Sequence, residues 1–167
     1  MSATGLDVFD KTLQTTHIWL NEITEAIGPD KQVAWHVLGA VLRTLRDRVP
    51  LQVAVHLGAE LPLLVRGTYY DHWHASDHPE RYRSLDEFLG HVTEQLRATK
   101  PVDPAEATRA VFAVLSRHVP EGQVRKVRKA LPEDVRALWS EPALTSRQSE
   151  AEGPATAQPE QARRILT

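Results

Sequence analysis

The chain contains no cysteine, which excludes disulfide bridges, thiolate metal sites and a cysteine nucleophile. No apolar run approaches the roughly 20 residues of a membrane span. The N-terminus lacks the basic-then-apolar pattern of a secretory signal, so the expected compartment is the cytoplasm. The eight glycines are scattered rather than gathered into a phosphate-cradling loop, and no serine stands in a nucleophile-elbow sequence. Charge of neither sign dominates: the formal net charge of −2 gives no global field to draw in nucleic acid or an anionic membrane. What remains, 41% hydrophobic and 25% charged residues, is ordinary for a globular protein. It names no reaction, no catalytic residue and no cofactor.

The chain repeats itself. Leu61-Pro62-Leu63-Leu64-Val65-Arg66-Gly67-Thr68-Tyr69 returns seventy residues later as Leu131-Pro132-Glu133-Asp134-Val135-Arg136-Ala137-Leu138-Trp139. The same offset pairs Ala40 with Ala110, Val41 with Val111, Leu45 with Leu115 and Pro50 with Pro120. Upstream it drops to sixty-nine, setting Trp19, Leu20, Ile23 and Ile27 opposite Phe88, Leu89, Val92 and Leu96. A one-residue slip in a surface connection costs little. The expected architecture is all-α: two tandem four-helix pseudo-repeats, residues 7–70 and 84–140, joined by a linker at 71–83 and packed into one domain over residues 1–140.

Helical periodicity and punctuation place the elements. A first helix from Asp7 to Ile27 carries Phe9, Leu13, Leu20, Ile23 and Ile27 on one stripe, expected to face the core. Gly28-Pro29-Asp30 ends it, and a second helix, Lys31 to Arg48, turns Ala34, Val37, Leu38, Val41 and Leu45 inward until Pro50 stops it. A third helix spans Leu51 to Glu60, and a fourth is expected to begin with Pro62 at its first helical position. In the second half, Ser84 with Glu87 reads as a capping box, and Asp103-Pro104 as a cap followed by proline at the first helical position. From Glu141 to Thr167 the composition shifts to Ser, Ala, Gln, Glu, Gly and Pro without aromatics, the signature of a disordered tail.

The repeated run Leu61 to Tyr70 followed by Trp73, the segment Ser84-Leu85-Asp86-Glu87-Phe88-Leu89, and Ala107-Thr108-Arg109-Ala110-Val111-Phe112-Ala113-Val114-Leu115 together resemble DUF2267, a bacterial family of uncharacterised function. The resemblance covers roughly residues 6 to 140 and implies a helical fold, with no chemistry attached.

Four groups of residues are candidates for function. The third helix of the first half is apolar most of the way round: Ala54, Leu57 and Leu61 face inward, while Leu51, Val55, Ala59 and Leu63 form an outer apolar face. Such a face is covered either by another part of the same chain, the long first helix being the candidate, or by a protein partner or second copy. Arg163, Arg164, Ile165 and Leu166 in the tail are a candidate docking turn. Both groups favour a non-enzymatic protein-protein interaction module. The matching helix of the second half instead presents Arg125, Lys126, Arg128 and Lys129 outward, so a nucleic-acid-binding module is the alternative. His72, His74 and His78 are weak candidates for a metal or small ligand, because their spacing matches no helical metal motif. Arg66 and Arg136, at equivalent positions, are read as a structural pair holding carbonyls at a neighbouring helix end.

Overall fold

A computed structural model describes residues 3–139, the side chain of Asp77 excepted. Among these residues the regular structure is helical, without a strand: α1 (Asp7–Ile27), α2 (Lys31–Arg48), α3 (Leu51–Ala59), α4 (Leu63–Tyr70), α5 (Leu85–Gln95), α6 (Pro104–His118), α7 (Glu121–Ala130) and α8 (Glu133–Arg136). One 3-10 turn, Ala75–Asp77, lies between α4 and α5. No helix among the described residues is long and apolar enough to cross a membrane.

The helix ends follow from local chemistry. Asp30 caps α2, its Oδ1 accepting from Gln32 N at 2.9 Å and Val33 N at 3.2 Å. Asp103 does the same for α6 with Pro104 at the first helical position, and Ser84 Oγ accepts from Glu87 N at 3.1 Å to open α5. Gly28, at φ 128°, ends α1 in a conformation that side chains disfavour. Pro62 departs from the expected placement. Its ψ of 152° is extended, so it precedes α4 as the cap residue, and its carbonyl accepts the Arg66 N–H at 2.7 Å. Pro132 stands before α8 in the same way, with ψ 148°.

Asp30 also ties α2 to the segment between α5 and α6, since Lys100 Nζ lies 2.9 Å from its Oδ2. The hydrogen bond from Lys100, helped by the Val33 N–H, holds the carboxyl below the usual aspartate range. A carboxyl whose folded pKa is depressed stabilises above its unfolded pKa and loses that contribution as the pH falls. Asp30→Ala should therefore melt below the parent at neutral pH, and the gap should narrow as the pH falls below about 4. Circular-dichroism melts of both proteins across that range measure it.

The core is built around α2 and α6, which pack against each other. On this pair, α1 rests against α2, α4 and α6, and α5 against α2, α6 and α8, while α3 meets α7. Trp19, Ile23, Val37, Leu38, Val41, Leu42, Leu45, Phe88, Phe112 and Leu115 are buried together. α2 is buried well beyond the inward stripe expected from periodicity: Gly39, Leu42, Thr44 and Arg46 are covered as well, because five other helices surround it.

The expected stripe of α1 holds for Leu20 and Ile23 and fails for Phe9 and Leu13, which remain exposed. The covered face of the first half of α1 runs instead through Thr12 and Thr16. Thr12 Oγ1 accepts the N–H of Leu64 at 3.3 Å, an orphan donor in the first turn of α4. Thr16 Oγ1 donates to the Thr12 carbonyl at 2.7 Å. The Leu64–Thr12 bond ties the threonine face of α1 to α4 and leaves the Phe9 and Leu13 side chains exposed beside it.

Candidate functional site

Nine large hydrophobic side chains are exposed among the described residues, each between 39% and 58%: Leu6, Val8, Phe9, Leu13, Ile18, Leu51, Val55, Leu63 and Leu64. All of them fall between Leu6 and Leu64. Leu51, Val55 and Ala59 recur every fourth residue along α3 and are exposed, followed by exposed Leu63 at the start of α4. The first helix does not cover this face. α1 packs on α2, α4 and α6, whereas α3 is held by α2, α4 and α7. Between the start of α1 and the α3–α4 corner lies a hollow of 360 Å³ lined by Val8, Thr12, Ala59, Leu61, Pro62 and Leu63 together with Lys11, Thr15, Glu60 and Arg66. Leu6, Phe9 and Leu13 form an apolar ridge at helical spacing on α1 and the residue before it.

Arg66 Nε donates to the Gly58 carbonyl at 2.9 Å, and its Nη2 to Ala59 at 3.1 Å and Leu61 at 2.8 Å. Seventy residues on, Arg136 Nε donates to Arg128 at 2.9 Å, and its Nη2 to Lys129 at 3.5 Å and Leu131 at 3.0 Å. Each guanidinium thus occupies the carbonyls at the end of α3 or α7, where a cation also complements the helix dipole.

The basic helix α7 exposes Arg125, Lys126 and Lys129, and Arg128 is half-buried. Arg125 pairs with Glu121 at 3.1 Å within the helix. The histidines of the α4–α5 connection diverge in their surroundings. His72, at φ 54°, projects into solvent beside Asp71, 3.7 Å away. His74 is exposed, while half-buried His78 directs a ring nitrogen to the Val49 carbonyl and meets the Trp73 ring edge-on. Among the described residues no three His, Asp or Glu side chains come together as metal ligands would. Arg163, Arg164, Ile165 and Leu166 lie outside the described residues.

A second site is a polar groove of 590 Å³ between α2, α4 and α5, with Trp35, Arg43, Arg46, Thr68 and Gln95 among its walls. A smaller hollow of 170 Å³ adjoins it, sharing Arg46, Asp47 and His72. Arg43 Nε donates to Gln95 Oε1 at 2.7 Å, and its Nη1 to Thr68 Oγ1 at 2.8 Å and to the Thr68 carbonyl at 3.3 Å. Arg46, only 3% exposed, donates from Nε to Asp47 Oδ1 and from Nη1 to the Tyr69 and Asp71 carbonyls, each at 2.8 Å. Burial, and next the charge of Arg46, push the Arg43 pKa below the usual arginine value. Sequence spacing does not reveal this groove, because Arg43, Thr68 and Gln95 come from three helices. The available signal was a mismatch in the repetition, where Ala113 stands seventy residues after Arg43.

The family model described as an uncharacterized conserved protein, DUF2267, matches residues 16–138. Among curated proteins, none matches the chain.

Proposed function

The chain belongs to the DUF2267 family, and because that family is described only as uncharacterised we propose a function from the surface itself. We infer a non-enzymatic helical interaction module whose partner is a second copy of this chain. The observation that carries this reading is the confinement of every exposed large hydrophobic side chain among the described residues to the stretch from Leu6 to Leu64. Within that stretch, Leu6, Phe9 and Leu13 share one side at the start of α1 and Leu51, Val55, Ala59 and Leu63 run along α3 into α4, and contiguous exposed apolar residues of this kind mark interaction sites.

A second copy fits because one chain carries both members of a complementary pair. The ridge of Leu6, Phe9 and Leu13 matches in chemistry the apolar part of the hollow, formed by Val8, Ala59, Leu61 and Leu63 beside Lys11, Glu60 and Arg66. Reciprocal insertion would close a two-fold dimer, each copy burying the other's ridge. Leu51 and Val55 extend the contact along α3. The basic residues of α7 and the histidine connection have no comparable support, since Arg125 is paired within its own helix and the histidines diverge.

The finer architecture belongs to the same proposal. We read the chain as two interlocked four-helix pseudo-repeats, α1–α4 and α5–α8. Supporting this are the matched carbonyl sets of Arg66 and Arg136 and the exchange of partners in which α1 lies on α6 while α5 lies on α2.

Sedimentation velocity on the full chain tests the association, with Phe9→Glu on the ridge and Val55→Glu on the α3 face. Each is an exposed position, so folding should be retained, while each buried charge should weaken dimerisation more than tenfold. Unchanged association in both folded variants would sink the proposal.

A further inference from the structure

We propose that the groove between α2, α4 and α5 binds a small phosphomonoester, its phosphate held by Arg43, Arg46 and the Thr68 hydroxyl, with Gln95 as the residue that positions Arg43. This goes beyond the association proposed above and does not depend on it. Its comparison of positions rests on the duplication.

The first observation is a guanidinium, that of Arg43, that bonds no carboxylate among the described residues although Asp47 and Asp71 line the same groove. Arg43 and Arg46 lie one turn apart on α2, a spacing that places both on one side of the helix. Arg46 has Asp47 for a partner, but among the described residues Arg43 is bonded only to neutral groups, Gln95 Oε1 and the two oxygens of Thr68. The two arginines use Nε and Nη1 for their protein contacts, and neither Nη2 meets an acceptor among the described residues. Two neighbouring guanidiniums in a partly dry groove are stabilised by an anion between them.

The second observation is that the fold does without these side chains at the corresponding places. Ala113 and Ser116 stand seventy residues after Arg43 and Arg46, Leu138 seventy after Thr68, and Ala26 sixty-nine before Gln95. Ala26, Ala110, Ala113 and Leu138 line a hollow of their own, 250 Å³ in volume, which is mainly apolar apart from Glu106 and Arg109. The same scaffold position is thus filled by alanine and leucine in one half and by arginine, threonine and glutamine in the other. Gly39 makes room for the difference: a Cβ there would lie 2.7 Å from Arg43 Nη1 and 2.9 Å from Thr68 Oγ1. Its counterpart seventy residues on is Arg109.

The donors select the ligand. Two guanidiniums and a hydroxyl, reaching in from α2 and α4, suit the three terminal oxygens of a phosphomonoester better than the two of a carboxylate. Asp47 and Asp71 on the same rim disfavour a chain of phosphates or a nucleic-acid backbone. A groove of 590 Å³ is large for phosphate alone and falls within the range of small-molecule sites, with half-buried Trp35 as an aromatic wall for an organic group.

Isothermal titration of the full chain in phosphate-free buffer, with inorganic phosphate, adenosine monophosphate, glucose 6-phosphate and adenosine, tests this. At least one of the two monoesters should bind saturably and more tightly than inorganic phosphate, and adenosine should not bind. Arg43→Ala should keep the parent's circular-dichroism spectrum and lose at least about tenfold in affinity, and Thr68→Val should weaken binding less. No saturable binding of phosphate or either monoester would overturn the proposal, as would unchanged affinity in Arg43→Ala. Equal affinity for phosphate and the monoesters would overturn the organic ligand in favour of the free ion. Failure of Arg43→Ala to fold would overturn the comparison with Ala113 on which the site rests, leaving the dimer proposal untouched.

Discussion

Arg46→Ala should lower the unfolding free energy by about 3–5 kcal/mol, as expected when one partner of a buried charged network is removed. The guanidinium is almost fully covered, lies with its carbon 5.7 Å from the centre of the Trp73 ring, and joins three elements. Its Nη1 bonds the Tyr69 and Asp71 carbonyls at the C-terminal end of α4, while Nε bonds Asp47 on its own helix. Alanine would leave both carbonyls without this donor, remove a cation from the negative end of a helix and open a void beside Trp73. Arg46→Lys should recover only part of the loss, because an ammonium cannot reproduce the planar fork that reaches two carbonyls and a carboxylate. Urea denaturation followed by far-ultraviolet circular dichroism measures both variants. A loss below about 1 kcal/mol for the alanine variant, the scale of an exposed contact, would mean that Arg46 does not hold α4 to α2.

Phe112→Ala should cost a similar amount, about 3–5 kcal/mol, through a different mechanism. Phe112 is fully buried on α6, its ring stacked on Trp139 with centroids 4.1 Å apart and planes at 20°, and tilted against Phe88 at 6.4 Å. Truncation removes apolar area and leaves a cavity between α5, α6 and the residues after α8, where Trp139 is also held by its Nε1 donating to Ser116 Oγ at 2.6 Å. Phe112→Leu should cost clearly less, since most of the volume stays filled. The same denaturation experiment distinguishes them, and equal destabilisation by alanine and leucine would contradict the cavity account.

The helices were legible in the sequence because their ends are written in local chemistry. Asp30, Ser84 and Asp103 each accept orphan N–H groups as their positions imply, and the bounds of α1 and α2 follow from Gly28, Asp30 and Pro50. Local chemistry was less informative where geometry depends on a neighbour. Pro62 looks like a first helical residue, yet its extended ψ makes it the residue before α4. Phe9 and Leu13 belong to an apolar stripe that predicts burial, but the bond from Leu64 N to Thr12 Oγ1 favours a different face of α1 against the body. That discrepancy became the strongest feature of the surface, since it leaves an apolar ridge exposed. The arginine groove had no motif to announce it, because its side chains converge from residues 43, 46, 68 and 95. Only the contrast of Arg43 with Ala113 at the repeat offset distinguished it from an ordinary helix surface.

The central claim is that the apolar surface between Leu6 and Leu64 is buried by a second copy of the chain. The most direct measurement is the solution mass of the untagged full chain by light scattering over a dilution series, in low and moderate salt. The expected result is twice the 18.7 kDa chain mass at high concentration. On dilution the mass should fall toward that of one chain, with little response to salt, because apolar contacts are not screened. A mass of 18.7 kDa at every concentration would contradict the account, and so would an association that moderate salt abolishes.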